Sequence, residues 1–177
     1  MLDKQTKSPP GGSVLVVDDD PYIRESLQDF LVSTGSNVVL ACDGVEALNI
    51  FDTAPVDAII TDVQMPYKSG LELVAELRAN YHQTPVVLIT AYPDRDKVKE
   101  ALRLDVTDFI EKPFKMEQIL TVTKRAIAFG QALRRQNAQI EGECQKDTAL
   151  PADAQRRRLV KRITAGMKLS YQYYSRP

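Results

Sequence analysis

Asp57-Ala58-Ile59-Ile60-Thr61-Asp62-Val63-Gln64-Met65-Pro66 contains a short, almost uninterrupted apolar run that stops at a carboxylate. Such a run is the pattern of a parallel strand covered on both faces, and the acid at its end falls on the sheet edge where α/β proteins keep their chemistry. The chain does the same earlier, where Val14-Leu15-Val16-Val17 runs into Asp18-Asp19-Asp20. With these two, at 14–17 and 58–61, further runs predict strands at 37–41, 86–90 and 108–110.

Between the strands, apolar residues recur at helical spacing. Residues 22–32 carry Ile23, Leu27, Phe30 and Leu31 behind Pro21, which has no amide hydrogen to leave unpaired in a first turn. Val45, Leu48 and Phe51 mark a second helix, and Leu71, Val74, Ala75 and Leu77 a third with Gly70 before it. A more polar fourth, 94–104, has Val98, Ala101 and Leu102 as its inner stripe, and Met116, Ile119, Leu120, Thr123 and Ile127 mark a fifth after Pro113. Five βα units predict an α/β fold: a doubly wound, five-stranded parallel sheet with helices on both faces.

The ends of the chain read differently. Residues 1–12, closing in Pro9-Pro10-Gly11-Gly12, form a flexible leader before a domain at 13–129. Past Phe129 the fifth helix has no firm stop: Gly130 is a soft breaker, 131–140 continue the helical pattern, and 141–153 read as linker. Residues 154–169 read as a basic amphipathic helix, with Leu159, Val160, Ile163 and Met167 on one side and Arg156, Arg157, Arg158, Lys161 and Arg162 supplying charge. An aromatic tail follows, Tyr171-Gln172-Tyr173-Tyr174.

Composition narrows the function classes. At 177 residues, 44% hydrophobic and 27% charged, the chain has the make-up of a soluble globular protein of one domain plus an extension. No apolar stretch reaches membrane-span length and the polar start lacks a signal-peptide core, so a cytoplasmic location is expected. Two cysteines, Cys42 and Cys144, suffice for neither a disulfide scaffold nor a structural zinc site; Cys42 reads as a small apolar filler and Cys144 as a linker thiol. His82, the single histidine, reads as a surface-loop residue. The net charge of −1 conceals a division: residues 1–123 hold 11 Lys+Arg against 20 Asp+Glu, and residues 124–177 hold 12 against 4. The basic end could meet the acidic body, a second copy of it, or a polyanion.

Residues just past the C-terminal ends of neighbouring parallel strands meet in one crevice. Asp18, Asp19, Asp62, Thr90 and Lys112 all occupy such places. One acid at a strand end is ordinarily a solvated cap, but three at close range repel unless a cation shares them. A hard ion such as Mg²⁺, or Mn²⁺ in its place, accepts carboxylate oxygens, a backbone carbonyl and waters. With an ammonium at Lys112 and a hydroxyl at Thr90, such a site suits phosphoryl transfer in which an Asp oxygen attacks phosphorus and becomes an acyl phosphate.

The combination Val16-Val17-Asp18-Asp19-Asp20, Asp62-Val63-Gln64-Met65-Pro66 with Gly70, Ile89-Thr90-Ala91 and Lys112-Pro113-Phe114 resembles the receiver domain of two-component response regulators, over roughly residues 13–128. The resemblance implies a flavodoxin-like sheet of order 2-1-3-4-5 and a phosphate acceptor at Asp62. It implies Mg²⁺ held by Asp18, Asp19, Asp62 and the backbone carbonyl of Gln64, with Lys112 on the phosphoryl group. It further implies a switch of Thr90 coupled to the aromatic at Phe109, and a cis bond between Lys112 and Pro113. The phosphoryl donor would be a sensor histidine kinase or a histidine phosphotransfer protein. The family usually has Gly where Asp105 stands, and often an acid where Ser69 stands. Asp tolerates a left-handed backbone better than most residues, so the fold survives the first change. Gln64 and Tyr92 lie where side chains touch the water that hydrolyses a phosphoaspartate, and are expected to modulate its lifetime.

Output is open at this level. The leading expectation is a receiver that switches protein contacts, self-phosphorylating and slowly self-dephosphorylating rather than turning over a substrate. Its homodimer would form through the fourth helix, fifth strand and fifth helix, or along an extended fifth helix. A nucleic-acid-binding regulator acting through 154–177 is the alternative, since arginines and stacking tyrosines suit a polyanion. A Mg²⁺-dependent phosphohydrolase is a third.

Overall fold

Each of the apolar runs is a strand. In the computed structural model, which describes residues 11–80, 82–92 and 94–146 and side chains as far as 139, the elements alternate strictly. They are β1 (Ser13–Val17), α1 (Pro21–Ser33), β2 (Asn37–Ala41), α2 (Gly44–Thr53), β3 (Ala58–Asp62), α3 (Gly70–Ala79), β4 (Val86–Thr90), α4 (Arg95–Arg103), β5 (Asp108–Glu111) and α5 (Met116–Lys146). The strands form one parallel sheet in the order β2-β1-β3-β4-β5, the expected doubly wound arrangement. Val17 lies opposite Thr61, Asp62 opposite Ile89 and Thr90 opposite Glu111, so the strands run out at nearly one level.

The pleat sends alternate residues to opposite faces and thereby builds two cores. On one, Leu15, Val17, Ile59, Val86 and Leu88 meet Leu73, Val74 and Leu77 of α3, with Ala47 of α2 and Ala101 of α4. On the other, Val14, Val16, Ile60, Val87, Ile89 and Ile110 meet Leu27 and Leu31 of α1 and Ile119, Val122 and Ala126 of α5. Each fully buried Leu or Ile contributes about 1.5–3 kcal/mol before entropy is counted. Cutting any one of these residues back would loosen both a strand and the helix over it.

Several local readings change in three dimensions. Leu102, expected inside, is 73% exposed. It lies about 100° round the helix from Ala101, which is the residue of α4 buried against the sheet. Val45 is likewise exposed, while its neighbours Gly44 and Ala47 are buried. Asp57, which looked like the start of an apolar run, is fully buried: its carboxylate accepts from the Ser13 amide at 2.8 Å and its own amide donates to the Ser13 carbonyl at 2.7 Å. As expected, α5 runs on through Gly130. A Cβ there would stand 1.9 Å from the Asp57 carbonyl oxygen, so glycine is what lets the helix approach β3's entry.

The chain divides into two units, Met1–Gly130 and Gln131–Pro177. α5 is helical through Lys146, so the linker expected from 141 does not begin there. Cys144 lies in that helical span, beyond the described side chains. The rest of the proposed linker, the basic helix and aromatic tail at 154–177, and leader residues 1–10 lie outside the described residues. Among the described residues no helix is long and apolar enough to cross a membrane.

Candidate functional site

The three acids after β1 have three different environments. Asp18 is buried; its amide donates to the Ala41 carbonyl of β2 at 3.3 Å and its Oδ1 accepts from the Asp20 amide at 2.9 Å. Asp20 is the N-cap of α1, accepting from the Tyr22 amide at 2.9 Å ahead of Pro21. Asp19, between them, is exposed. One run of identical residues therefore yields a buried carboxylate, an open one and a helix cap, each set by its backbone position.

Asp62 closes β3, almost fully buried, with its Oδ1 accepting from the Val63 amide at 2.9 Å. Gly70 sits over it: a Cβ there would fall 2.1 Å from the Asp62 carbonyl oxygen. α3 therefore starts directly against the strand end. That start is fastened by a capping box in which Ser69 accepts from the Glu72 amide and the Glu72 carboxylate accepts from the Ser69 amide at 2.8 Å. The serine that departs from the expected acid is thus a helix cap.

One oxygen from each of Asp18, Asp19 and Asp62 lies within 4.8 Å of the others, a partly buried acidic cluster able to coordinate a divalent cation. Lys112, just after β5, reaches across to Asp18 Oδ2 at 2.9 Å and Asp62 Oδ2 at 3.5 Å. The bond from Lys112 to Pro113 is cis, as expected. Burial pushes the Asp62 carboxyl above its ordinary range; Lys112 opposes this and the Asp18 charge adds to it.

Thr90 is fully buried at the end of β4, its Oγ1 accepting from the Tyr92 amide at 3.2 Å. Phe109 pairs with Leu88, and the pleat places it on the same sheet face as Thr90. Its ring is half-buried against the core under α2, α3 and α4. Gln64 borders an open cleft of about 500 Å³ together with Asp19, Met65, Pro66 and Lys97. Tyr92, two residues past Thr90, is 72% exposed. Asp18, Asp62, Thr90 and Lys112 therefore stand at or just past the strand ends, whereas Phe109 lies two residues further in along β5, opposite Leu88.

Three features escaped the sequence. Arg24 of α1 donates from Nη1 to the Asp18 carbonyl. Lys97 joins the cleft wall from α4. Tyr67 has φ 64° while 91% exposed, in the loop after Asp62. A left-handed backbone costs an L-residue about 1–2 kcal/mol, so Tyr67→Gly should stabilise the protein by about 0.5–1 kcal/mol after glycine's larger unfolded-state entropy is deducted. Chemical denaturation of the two proteins measures it, and an unchanged midpoint would show that the ring's surroundings offset the strain.

Residues away from the edge have simpler roles. Asp105 takes φ 53°, the left-handed conformation anticipated where glycine is usual. Arg78 donates to its carbonyl at 3.2 Å and to that of Leu104 at 3.0 Å. Cys42 is not a filler but an exposed thiol beyond the end of β2. Its amide is held by Glu46 at 2.7 Å, and hydrogen bonding to Glu46 raises the thiol's pKa, disfavouring the thiolate. The exposed His82 rests its ring edge-on to Phe51, 4.9 Å between centroids.

Comparison with known proteins agrees with this geometry. Residues 14–124 match the family described as response regulator receiver domain. The chain is 42% identical over 110 residues to response regulator MprA of Mycobacterium sp. strain KMS, covering 60% of this chain and 46% of that one. It thus spans about half the length of the curated relatives it matches. Chemotaxis protein CheY4 of Vibrio cholerae superposes with a TM-score of 0.61 at 35% identity, covering 64% of this chain and 97% of CheY4. Response regulator TrrA of Thermotoga maritima, solved in complex with Mg²⁺ and BeF, does so with a TM-score of 0.59 at 32% identity, covering 64% and 97%. With the 2-1-3-4-5 sheet, the acidic cluster at its edge and Lys112 across it, these matches place the chain in the response regulator receiver domain family.

Proposed function

We propose that Asp62 accepts a phosphoryl group from the histidine of a sensor kinase or phosphotransfer protein, and that the chain passes the signal on through protein contacts. The observation that carries this reading is the placing of a buried carboxylate between a lysine and two further acids at the edge of a receiver fold. An Asp62 carboxylate oxygen bonds to phosphorus as the bond from phosphorus to the imidazole nitrogen breaks. The oxygen-only donors Asp18, Asp19 and Asp62, with the Gln64 carbonyl, suit Mg²⁺, or Mn²⁺ in its place. When bound, the ion supplies positive charge against the phosphoryl oxygens.

The chain's own residues do the rest. Lys112, held by Asp18 before transfer, turns to the new phosphoryl oxygens. Thr90 gives up its bond from the Tyr92 amide and donates its hydroxyl to the same group. The space it leaves admits the Phe109 ring, which has no hydroxyl to tie it outward, and the surface of α4, β5 and α5 changes. A second copy would dock on that surface or along the extended α5. A cytoplasmic setting fits such a partner kinase.

Incubating the protein with Mg²⁺ and a small-molecule phosphoramidate should add one phosphoryl group per chain, mapped to Asp62 by borohydride reduction and mass spectrometry. Continuous release of phosphate from a phosphorylated substrate would instead support a hydrolase. Tyr92, two residues past Thr90, shields the phosphoryl group from water in this reading; Tyr92→Ala is expected to lose its phosphate severalfold faster, read from the decay of labelled protein. An unchanged half-life would remove Tyr92 from that role.

A further inference from the structure

The Asp19 carboxylate has no hydrogen bond among the described residues, yet it belongs to the acidic cluster. What aims it is therefore backbone. The Asp18 carbonyl is part of the peptide plane that leads into Asp19, and Arg24 Nη1 donates to that carbonyl oxygen at 2.5 Å. Arg24 is itself well placed to hold it. Its amide donates to the Asp20 carbonyl at 3.1 Å in the first turn of α1, and α1 is capped by the Asp20 side chain. The half-buried guanidinium also lies near Glu46, whose carboxyl is kept below its ordinary range by hydrogen bonds from Cys42 first and by the Arg24 charge in smaller part. One side chain thus ties the end of β1 to the start of α1 and reaches toward the turn after β2.

We infer that Arg24 is a positioning residue for the divalent-cation site, fixing the Asp18–Asp19 peptide so that both carboxylates converge. The inference rests on the reading of Asp18, Asp19 and Asp62 as the ion's ligands. Residues that orient ligands without touching the metal typically govern affinity by roughly 10–100-fold.

Charge and positioning make opposite demands here, which gives the test its sign. A guanidinium near the site repels an incoming cation, so if Arg24 acted only as a charge, its removal would tighten binding. If it positions, removal loosens binding. Isothermal titration with Mg²⁺ alone, without phosphoryl donor, should show R24A binding about tenfold more weakly than the parent protein. R24A affinity equal to or tighter than the parent's overturns the inference. Should R24A fail to fold by circular dichroism, R24M serves: it keeps the aliphatic stem and loses the donor to the Asp18 carbonyl, so weaker binding supports positioning and affinity equal to or tighter than the parent's overturns it. D19N separates the two levels. If the parent binds Mg²⁺ and D19N does not, the ligand reading stands whatever R24A does; if the parent does not bind, the ligand reading and the inference fall together.

Discussion

Asp62→Asn is expected to take up no phosphoryl group above background under conditions that label the parent protein fully. The amide leaves the shape of the strand end almost unchanged and removes the carboxylate proposed as the nucleophile. Asp18 is committed on both oxygens, to the Asp20 amide at 2.9 Å and to Lys112 at 2.9 Å, and Asp19 stands on the solvent side of the cluster. Neither is placed to substitute. The same variant carries a stability prediction of opposite sign. Burial raises the folded-state pKa of Asp62, so its carboxylate destabilises the fold above that pKa and ceases to as the pH falls through it. The neutral amide escapes this cost. In metal-free buffer at neutral pH, D62N should melt higher than the parent, and the gap should shrink on acidification because the parent then protonates. Labelling of D62N at the parent's level would sink the acceptor assignment. A lower melting point at neutral pH would contradict the account of Asp62's burial.

The second large effect is expected far from the acids. In Gly130→Ala, intrinsic propensity alone favours the variant by about 1 kcal/mol, since glycine is a poor interior helix residue. Packing says otherwise. The new Cβ would sit 1.9 Å from the Asp57 carbonyl oxygen and 2.8 Å from its carbon, backbone atoms with no rotamer to yield. Asp57 is pinned in turn by its two bonds to Ser13. Relief therefore requires α5 to lift from the sheet, loosening Ile127 and Ala126 with it. Overpacking of this kind costs about 1–3 kcal/mol and occasionally more. With the clash at the upper end, a net loss of about 2 kcal/mol follows, or a melting point roughly 5–10 °C lower. Thermal denaturation decides it, and a more stable variant would mean that α5 does not pack on Asp57 as described.

These two residues mark how far the sequence could be read. Asp62 was legible because two signals coincide at it, a buried-strand pattern that ends and a carboxylate where it ends. The run of α5 past Gly130 was legible, but its contact with Asp57 was not, because a glycine at a helix contact and a glycine at a weak break look the same in one dimension. Cys42 and Leu102 failed for a related reason. Periodicity reports which residues share a face, but not whether anything covers that face, and the surfaces beyond β2 and on α4 are left open. Arg24 was invisible because its partner is a backbone carbonyl, and every residue has one.

What the chain's sequence determined on its own is the order of elements, the parallel sheet and the set of residues at its C-terminal edge. Those follow from periods of two and 3.6 and from strand ends, which are local properties. Only the tertiary structure decided that Asp18 joins the cluster buried, Asp19 joins it from the exposed side, and Asp20 caps a helix. It alone showed that Lys112 spans Asp18 and Asp62, and that Gly70 and Gly130 are contact points against the two ends of β3. Such facts depend on distances between segments far apart in the chain, and the position of a hydrogen-bond partner or a clashing atom is written in no single segment.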